Sequence, residues 1–264
     1  MSEILTELGA FTEGIRLARL YIKWRPEPVA LVGDGYAEVL DNHMKLTGQR
    51  GRIGKSRFML PVSPSNVWCV GLNYRAHAAE TNEKVPDEPC VFMKPRTCLI
   101  PHEGEIKAPL WAGRVDYEGE LAVVIGSTCK NVDAEHALDY VLGYSCFNDV
   151  TARDLQRKDG QWTRAKSFDT FGALGPAVLV GRSISPDTVL TTRLNGKTVQ
   201  SSPLSDMIFS VPEIVSHISR FTTLHPGDVI ATGTPCGIGP VKPGDVVEVE
   251  VEGIGVLRNS VVEG

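Results

Sequence analysis

The sequence lacks the features that mark membrane, secreted and nucleic-acid-binding proteins. No stretch approaches 18 consecutive apolar residues, and the acidic first residues contain no apolar segment, so we expect neither a membrane span nor a signal peptide. No long basic run occurs in a chain of net charge −5, which argues against a nucleic-acid surface. Repeats of solenoid length and low-complexity segments are also missing from the sequence.

Cysteine is scarce and has no metal-binding or redox spacing. The six cysteines are residues 69, 90, 98, 129, 146 and 236. They include no C-x-x-C pair, and most of them lie inside apolar runs. We therefore predict buried thiols in a reducing cytoplasm, with a redox sensor as the alternative for one of them.

Segments that resemble strands dominate what the chain does contain. Residues 29–32 and 36–40 predict a hairpin with its turn at residues 33–35. Later strands alternate with short helical patterns rather than with long ones. This interleaving predicts an α+β fold whose largest element is a β roll or barrel-like sandwich.

One domain boundary is indicated by prolines. At 264 residues the chain can form one large domain with an appendage. Pro61 and Pro64 interrupt the pattern just before a strand at residues 67–70. We therefore place a small N-terminal β-rich domain at residues 1–60 and the main domain at residues 61–264.

Three later segments have clear signals for their secondary structure. Ser210 and Glu213 form a capping box ahead of a helix with one apolar face. Asp133 can cap a second helix that continues to Val141. In residues 247–252 valine and glutamate alternate, which predicts a half-buried strand whose three glutamates face water and are not ligands.

Three carboxylates adjoin two segments that we expect to be buried strands. Glu118 and Glu120 lie at the start of the apolar run 121–125, and Asp149 ends a second apolar stretch. In a strand, residues two apart point to the same face with backbones ~7 Å apart. Two unit charges at that spacing repel by roughly 2 kcal/mol at an effective dielectric of about 20. Water, protonation or a cation must offset this repulsion.

The chemistry of these side chains favours the cation. Carboxylates without a neighbouring histidine or cysteine suit a hard ion such as Mg2+, which takes oxygen ligands and keeps positions open for water or substrate. We therefore predict a metal site at Glu118, Glu120 and Asp149. The alternative is an edge strand with a wet acidic face.

Six short segments of the sequence, taken in chain order, form a recognisable set of motifs. They are residues 69–74 with His77 and Glu80, then 92–95, 116–121, 148–154, 162–168 and 231–235. In this order they resemble the fumarylacetoacetate hydrolase family. The resemblance implies a mixed β-sandwich roll, a homodimer, and Mg2+ or Mn2+ held by Glu118, Glu120 and Asp149. It says little about residues 1–60.

The resemblance also implies enolate chemistry on a 2-oxo acid. Such a substrate could chelate the cation through its carboxylate and 2-oxo oxygen, so that the cation stabilises negative charge on the enolate oxygen. Hydrolysis of the C3–C4 bond of an acylpyruvate and loss of CO2 from oxaloacetate both produce the pyruvate enolate. One electrophilic site would therefore serve both reactions.

Three residues in the matching segments are candidates for holding the substrate. Lys166 has aromatic and apolar neighbours, and we assign it to stabilise the enolate together with the metal; the alternative is a surface lysine. Arg153 and Gln156 lie at helical spacing and are predicted substrate contacts. Arg153 could instead pair with Asp154 or Glu120.

Two further matching segments supply a dyad and a loop. His77 and Glu80 share one face of a short helix, where the carboxylate would raise the basicity of the imidazole and let it activate water. The alternative is a surface ion pair. Polar residues 78–89 predict a mobile lid. Thr234 follows an apolar strand and would contact a substrate carboxylate, unless it merely forms a Gly-Thr-Pro turn.

Three functions compete at this point. The first is a metal-dependent hydrolase of acylpyruvates, favoured by His77 and Glu80. The second is a decarboxylase or isomerase that acts on oxaloacetate or on intermediates of aromatic-acid catabolism with the same metal site. The third is a β-rich binding or scaffold protein, which the carboxylates together with Lys166 argue against.

Overall fold

The structure is a computed structural model that describes residues 15–22, 25–32, 35–41, 45–54, 57–181 and 183–264. Its strands are β1 (Arg16–Ile22), β2 (Arg25–Leu31), β3 (Tyr36–Leu40), β4 (Leu46–Arg52), β5 (Arg57–Met59), β6 (Val67–Gly71), β7 (Cys90–Lys94), β8 (Leu99–Ile100), β9 (Glu105–Ala108), β10 (Val115–Tyr117), β11 (Gly119–Ile125), β12 (Val141–Asp149), β13 (Thr151–Ala152), β14 (Gly172–Val180), β15 (Val189–Leu194), β16 (Lys197–Pro203), β17 (Val229–Ala231), β18 (Gly239–Pro240), β19 (Val246–Val251) and β20 (Gly255–Glu263). Its α-helices are α1 (Arg75–Glu80), α2 (Arg153–Asp159), α3 (Thr163–Lys166) and α4 (Val211–Phe221).

Three sheets organise these strands. The large sheet runs in the order β4-β3-β2-β1-β14-β12-β11-β17-β6-β7, with β5 beside β1 and β8 beside β14. A second sheet has the order β16-β15-β19-β20-β9, and a small third sheet has the order β13-β10-β18. Most pairs are antiparallel, but β8–β14, β6–β17 and β9–β20 are parallel. The predicted α+β fold with a mixed β-sandwich roll is therefore confirmed.

Strand β11 separates two apolar cores. Its odd-numbered residues from Leu121 to Ile125 face a core shared with the second sheet and with α4. Its even-numbered residues Ala122 and Val124 face a core that the other strands of the large sheet complete. Alternate residues of a strand point to opposite faces, so Glu120 lies on the same side as Ala122. The edge-strand alternative is wrong, because β11 pairs with β12 on one side and β17 on the other.

The N-terminal strands continue the large sheet. Strand β1 pairs with β14 through Arg16 and Leu17, and β2 pairs with β3 as the predicted hairpin requires. Residues 33 and 34 of the predicted turn lie outside the described residues. The division into domains at residue 60 stays a prediction.

The predicted helices differ in their outcome. The capping box is confirmed, because Ser210 and Glu213 cap α4 reciprocally. The segment after Asp133 is a 3-10 helix, Ala134–Tyr140, and the Asp133 side chain makes no capping hydrogen bond. Strand β12 begins at Val141, one residue after this segment ends, so Val141 belongs to the strand and not to the predicted helix. Among the described residues, no helix is long and apolar enough to cross a membrane.

The cysteines are all free thiols. Burial is confirmed for four of them (residues 69, 98, 129 and 146) and raises the pKa of Cys98 and Cys129 to about 11. The prediction is wrong for Cys90 and Cys236, which are exposed. Cys90 is the first residue of β7, and Cys236 lies in the loop after β17, so neither is inside a covered strand.

Candidate active site

The pleat of two paired strands brings the three predicted metal ligands together. Glu120 lies opposite Phe147 in the β11–β12 register, and the backbone N–H of Asp149 donates to the carbonyl of Glu118 at 2.9 Å. Directly opposite residues of an antiparallel pair share a face, as do residues two apart. Glu118, Glu120 and Asp149 therefore converge on one side of the sheet.

The carboxylate cluster, defined as Glu118, Glu120 and Asp149, is compact and buried. One oxygen from each side chain lies within 4.8 Å of the others. Burial raises the pKa of Glu120 well above its usual value, and the charges of Asp149 and Glu118 raise it further. Its carboxylate accepts the backbone N–H of Gly233 at 2.8 Å, and it has no salt bridge among the described residues. The cluster thus contains one carboxyl group whose negative charge would be poorly compensated.

Two buried lysines face the other members of this cluster. Lys166, from α3, lies 2.5 Å from Glu118 Oε2 and 2.7 Å from Asp149 Oδ2. Lys94, from the end of β7, lies 2.5 Å from Asp149 Oδ1. Burial by itself lowers the pKa of Lys166, but the carboxylates of Asp149 and Glu118 outweigh it and hold that pKa above its usual value. The surface-lysine alternative for Lys166 is therefore wrong.

Arg153 links the cluster to helix α2. Its Nη2 contacts the Glu118 carboxylate, its Nε donates to Asp116 Oδ2 at 3.0 Å, and its Nη1 donates to Gln156 Oε1 at 2.9 Å. The suggested pairing with Asp154 or Glu120 is wrong, because the guanidinium of Arg153 pairs with Asp116 and Glu118, while Asp154 pairs with Arg157. Burial raises the pKa of Glu118, but Arg153 and the nearby lysine reverse this and hold it well below its usual range.

The dyad lies on α1 at the rim of the site. His77 Nδ1 is 3.0 Å from Glu80 Oε2, and Glu80 Oε1 accepts the backbone N–H of Gly237 at 3.0 Å. The His77 side chain is 8% exposed and that of Glu80 is 32% exposed, so the pair is not an ordinary surface ion pair. Because a carboxylate only accepts, Nδ1 of the neutral imidazole carries the proton and Nε2 is free to act as a base.

Thr234 is buried behind the cluster. Its hydroxyl donates to the carbonyl of Gly119 at 2.8 Å and accepts from Gln200 Nε2 at 2.8 Å. The only proton of this hydroxyl is therefore already in use. Its role as a substrate contact stays a prediction, in which the loop backbone would supply the donors.

A cavity of about 390 Å³ connects these groups. Every sequence-predicted site residue lines it: His77, Glu80, Glu118, Glu120, Asp149, Arg153, Gln156, Lys166 and Thr234. Sequence reasoning gave no role to Lys94, to Asp116 or to the aromatic wall of Phe92 and Trp162, whose rings are 5.2 Å apart. The sequence signal for Lys94 was its position directly after the apolar residues 90–93, at the end of a strand that would be buried.

The donor set fits a divalent cation. The three carboxylates offer only oxygen atoms, are buried, and lie close enough to share one ion. Lys94 and Lys166 balance Glu118 and Asp149, but nothing of positive charge contacts Glu120 directly among the described residues. A bound ion would remove this imbalance.

Comparison with known proteins gives the family. Residues 66–262 match the fumarylacetoacetate (FAA) hydrolase C-terminal family. A protein of Archaeoglobus fulgidus is 58% identical over 208 residues, which cover 78% of this chain and 82% of the relative. The mitochondrial oxaloacetate tautomerase Fahd2a of Rattus norvegicus is 41% identical over 216 residues, which cover 78% of this chain and 69% of the relative.

Solved structures agree with this assignment. The crystal structure of 5-carboxymethyl-2-hydroxymuconate delta-isomerase from Mycobacterium smegmatis is 42% identical and superimposes with a TM-score of 0.86, covering 94% of this chain and all of the other. The predicted resemblance to the family and the predicted fold are confirmed, whereas the roles of the carboxylate cluster stay a prediction. The chain therefore belongs to the fumarylacetoacetate hydrolase family of enzymes.

Proposed function

We propose that the protein is a divalent-metal-dependent enzyme that converts a 2-oxo acid through its enolate. The observation that supports this proposal is the carboxylate cluster, buried in a cavity and faced by Lys166. Glu118, Glu120 and Asp149 would hold Mg2+ or Mn2+. When bound, the ion would supply electrophilic stabilisation of negative charge on the 2-oxo oxygen.

Lys166 would act on the same oxygen from the protein side. Its ammonium is buried and fixed by Glu118 and Asp149, and it lies 5.1 Å from the centre of the Phe92 ring. A fixed, desolvated cation stabilises a developing oxyanion more than a solvated one does, because neither the cation nor its surroundings must reorient as the charge develops. Any reaction that passes through the enolate would therefore depend on Lys166.

Gln156 and Arg153 would orient the substrate carboxylate. Because Gln156 Oε1 accepts from Arg153, the amide N–H groups of Gln156 are left to face the cavity. Arg153 uses at least one N–H from each of its nitrogens on protein partners, so its main contribution is to hold Gln156 and Glu118 in place. Backbone donors near Thr234 would complete the carboxylate site.

Hydrolysis of an acylpyruvate uses the dyad most fully. Nε2 of His77 would take a proton from water, and the oxygen would attack C4 of the substrate. The C3–C4 bond then breaks, its electron pair forms the pyruvate enolate, and protonation at C3 releases pyruvate and a carboxylic acid. Glu80 would hold His77 in the required tautomer.

Proton transfer without water attack is the second candidate. The relatives include an oxaloacetate tautomerase and a 5-carboxymethyl-2-hydroxymuconate delta-isomerase. Tautomerisation and isomerisation pass through the enolate of the substrate, and decarboxylation passes through the enolate left after loss of CO2. All three place negative charge on the 2-oxo oxygen, and His77 could move the proton to or from carbon.

We further propose that the protein is a cytoplasmic homodimer. Light scattering would test the dimer, and cell fractionation would test the location.

A substrate screen with the metal as a variable tests the proposed function. Chelator-treated protein receives Mg2+, Mn2+ or neither, and is offered acylpyruvates, oxaloacetate and longer 2-oxo diacids in D2O. We expect metal-dependent turnover, and incorporation of solvent deuterium at C3 that is faster than with the metal ion alone, because these substrates also exchange C3 protons without an enzyme. Product identity separates C–C hydrolysis from tautomerisation and decarboxylation. Wild-type protein that shows neither turnover nor faster C3 exchange than either metal ion alone would contradict the proposal.

A further inference from the structure

Gln200 reaches the active site from the opposite sheet. It belongs to β16, is 2% exposed, and uses both ends of its amide. Its Oε1 accepts the backbone N–H of Gly119 at 3.0 Å, and its Nε2 donates to Thr234 Oγ1 and to the carbonyl of Pro235, both at 2.8 Å. An N–H can only donate and a carbonyl can only accept, so these partners fix the orientation of the amide.

The first of these contacts lies between two predicted metal ligands. Gly119 separates Glu118 from Glu120, and its N–H and carbonyl are bound by Gln200 and Thr234 respectively. The peptide groups on both sides of Gly119 are therefore fixed by hydrogen bonds from outside the strand pair. A Cβ at position 119 would lie 2.0 Å from the Thr192 hydroxyl, which accounts for glycine at this close approach.

The second set of contacts lies in the loop of residues 232–238. On one side of Thr234, the N–H of Gly233 donates to Glu120 at 2.8 Å. On the other side, the N–H of Gly237 donates to Glu80 at 3.0 Å. This loop therefore contacts both the carboxylate cluster and the dyad, and Gln200 fixes the loop between those two contacts.

We propose that Gln200 is a positioning residue that holds the metal-binding carboxylates and the His77–Glu80 dyad in a common geometry through the 232–238 loop. The proposal rests on the proposed function of the cluster and dyad. Groups that hydrogen-bond a metal ligand directly change metal affinity by about 10–100-fold when they are removed, and Gln200 acts one step further away, through Gly119 and Thr234, so the lower end of that range applies. Sequence patterns gave no indication of this role, because Gln200 lies outside every matching segment.

The test compares Gln200→Met with Thr192→Val. Gln200→Met keeps a side chain of similar length but loses all three hydrogen bonds. Thr192 is the matched control, because it is buried in the same sheet, also approaches Gly119, and its hydroxyl has no partner among the described residues. Mn2+ affinity is measured by calorimetry without substrate, and amide exchange is followed in the peptides of residues 75–83 and 232–238.

We expect Gln200→Met to weaken Mn2+ binding by about tenfold. It should also speed amide exchange in both peptides and lower kcat more than it raises KM, whereas Thr192→Val leaves all three within about twofold. A folded Gln200→Met protein with wild-type Mn2+ affinity and wild-type exchange would overturn the proposal, even if its melting temperature falls. Wild-type protein that fails to bind Mn2+ would refute the proposed metal site. That outcome differs from failure of the Gln200 proposal, in which wild type binds Mn2+ and the variant binds it equally well.

Gln200→Glu keeps the test decisive if Gln200→Met does not fold. This variant retains the acceptor for Gly119 but places an oxygen against the carbonyl of Pro235. We expect faster exchange in residues 232–238 and 75–83, because a buried carboxyl has at most one proton and cannot donate to both Thr234 and Pro235 as the amide does. Unchanged exchange in both peptides would refute the coupling.

Discussion

Two Glu-x-Glu pairs at strand positions have opposite environments. Glu118 and Glu120 at the start of β11 are buried in the interior, whereas Glu248 and Glu250 on β19 have side chains that are 26% and 33% exposed. The residue spacing is the same in both pairs. The exposed pair is balanced by surface arginines, with Glu250 lying 2.5 Å from Arg193.

The difference lies in what covers the strand. Strand β19 buries only alternate residues, so the face that carries Glu248 and Glu250 remains hydrated. Strand β11 is buried on both faces, and its pair meets Asp149 from the neighbouring strand. A repeated carboxylate becomes a candidate metal site when burial removes water and a third carboxylate converges on it. Spacing alone does not distinguish the two.

The largest expected effect is on metal binding. Glu120→Gln removes a predicted ligand without changing its size, so we expect Mn2+ affinity to fall by more than about 100-fold, beyond the loss typical for outer-sphere partners. Turnover of the 2-oxo acid should fall to background. Glu250→Gln makes the same change in the exposed pair and should leave both unchanged. Equal effects of the two substitutions in calorimetry would break the comparison.

The second-largest expected effect is on turnover, and it comes from removing Lys166, the buried cation beside Glu118. Lys166→Met removes the ammonium beside Glu118 and keeps an unbranched side chain. We expect kcat to fall by about 10²–10³-fold for every substrate, as for the loss of one oxyanion donor. The control is Lys197→Met on the exposed start of β16. Loss of one activity with retention of another would contradict a role in the shared enolate step.

His77 should affect hydrolysis more than proton exchange. His77→Ala removes the base that would activate water, so we expect acylpyruvate hydrolysis to fall by about 100-fold. For the hydrolase candidate, metal-dependent exchange of C3 protons should decrease less, because the metal and Lys166 remain. An equal decrease would favour the second candidate, in which His77 moves the proton to or from carbon. If hydrolysis stayed within a few-fold of wild type while decarboxylation collapsed, the water-activating role would be wrong.

The sequence indicates the three carboxylates and names Lys166 and Arg153, but it does not show which cation contacts which carboxylate. The apolar runs after Glu120 and before Asp149 indicate buried strands, and the period of two places the carboxylates on shared faces. Lys94 and Arg153 are different, because they reach the cluster from segments 55 and 35 residues away from their partners. Such contacts depend on how distant segments fold against one another, and the same holds for Gln200, which reaches Gly119 from the second sheet.

The difference in stability between wild type and Glu120→Gln should reverse its sign when Mg2+ is added. Without the ion, burial and the charges of Asp149 and Glu118 raise the pKa of Glu120, so folding must either bury its charge or protonate it. Either outcome costs stability, and the neutral glutamine should therefore raise the free energy of unfolding by about 1–2 kcal/mol, which corresponds to roughly one pKa unit. With Mg2+ at about 100 times its Kd, wild type gains about 2.7 kcal/mol and the variant gains little. Denaturant unfolding with and without Mg2+ measures both. A variant that is less stable than wild type in both conditions would contradict the crowding of charge.

The smallest effect belongs to the exposed pair. Glu250→Gln breaks an ion pair with Arg193 whose side chains are about one-third exposed. Water solvates both partners after the change, so we expect the free energy of unfolding to shift by less than about 0.5 kcal/mol, with or without Mg2+. Salt should shrink the difference further, because surface charges are screened. A metal-dependent shift in this variant would mean that β19 also binds the ion, and burial would then no longer explain why only one Glu-x-Glu pair forms a site.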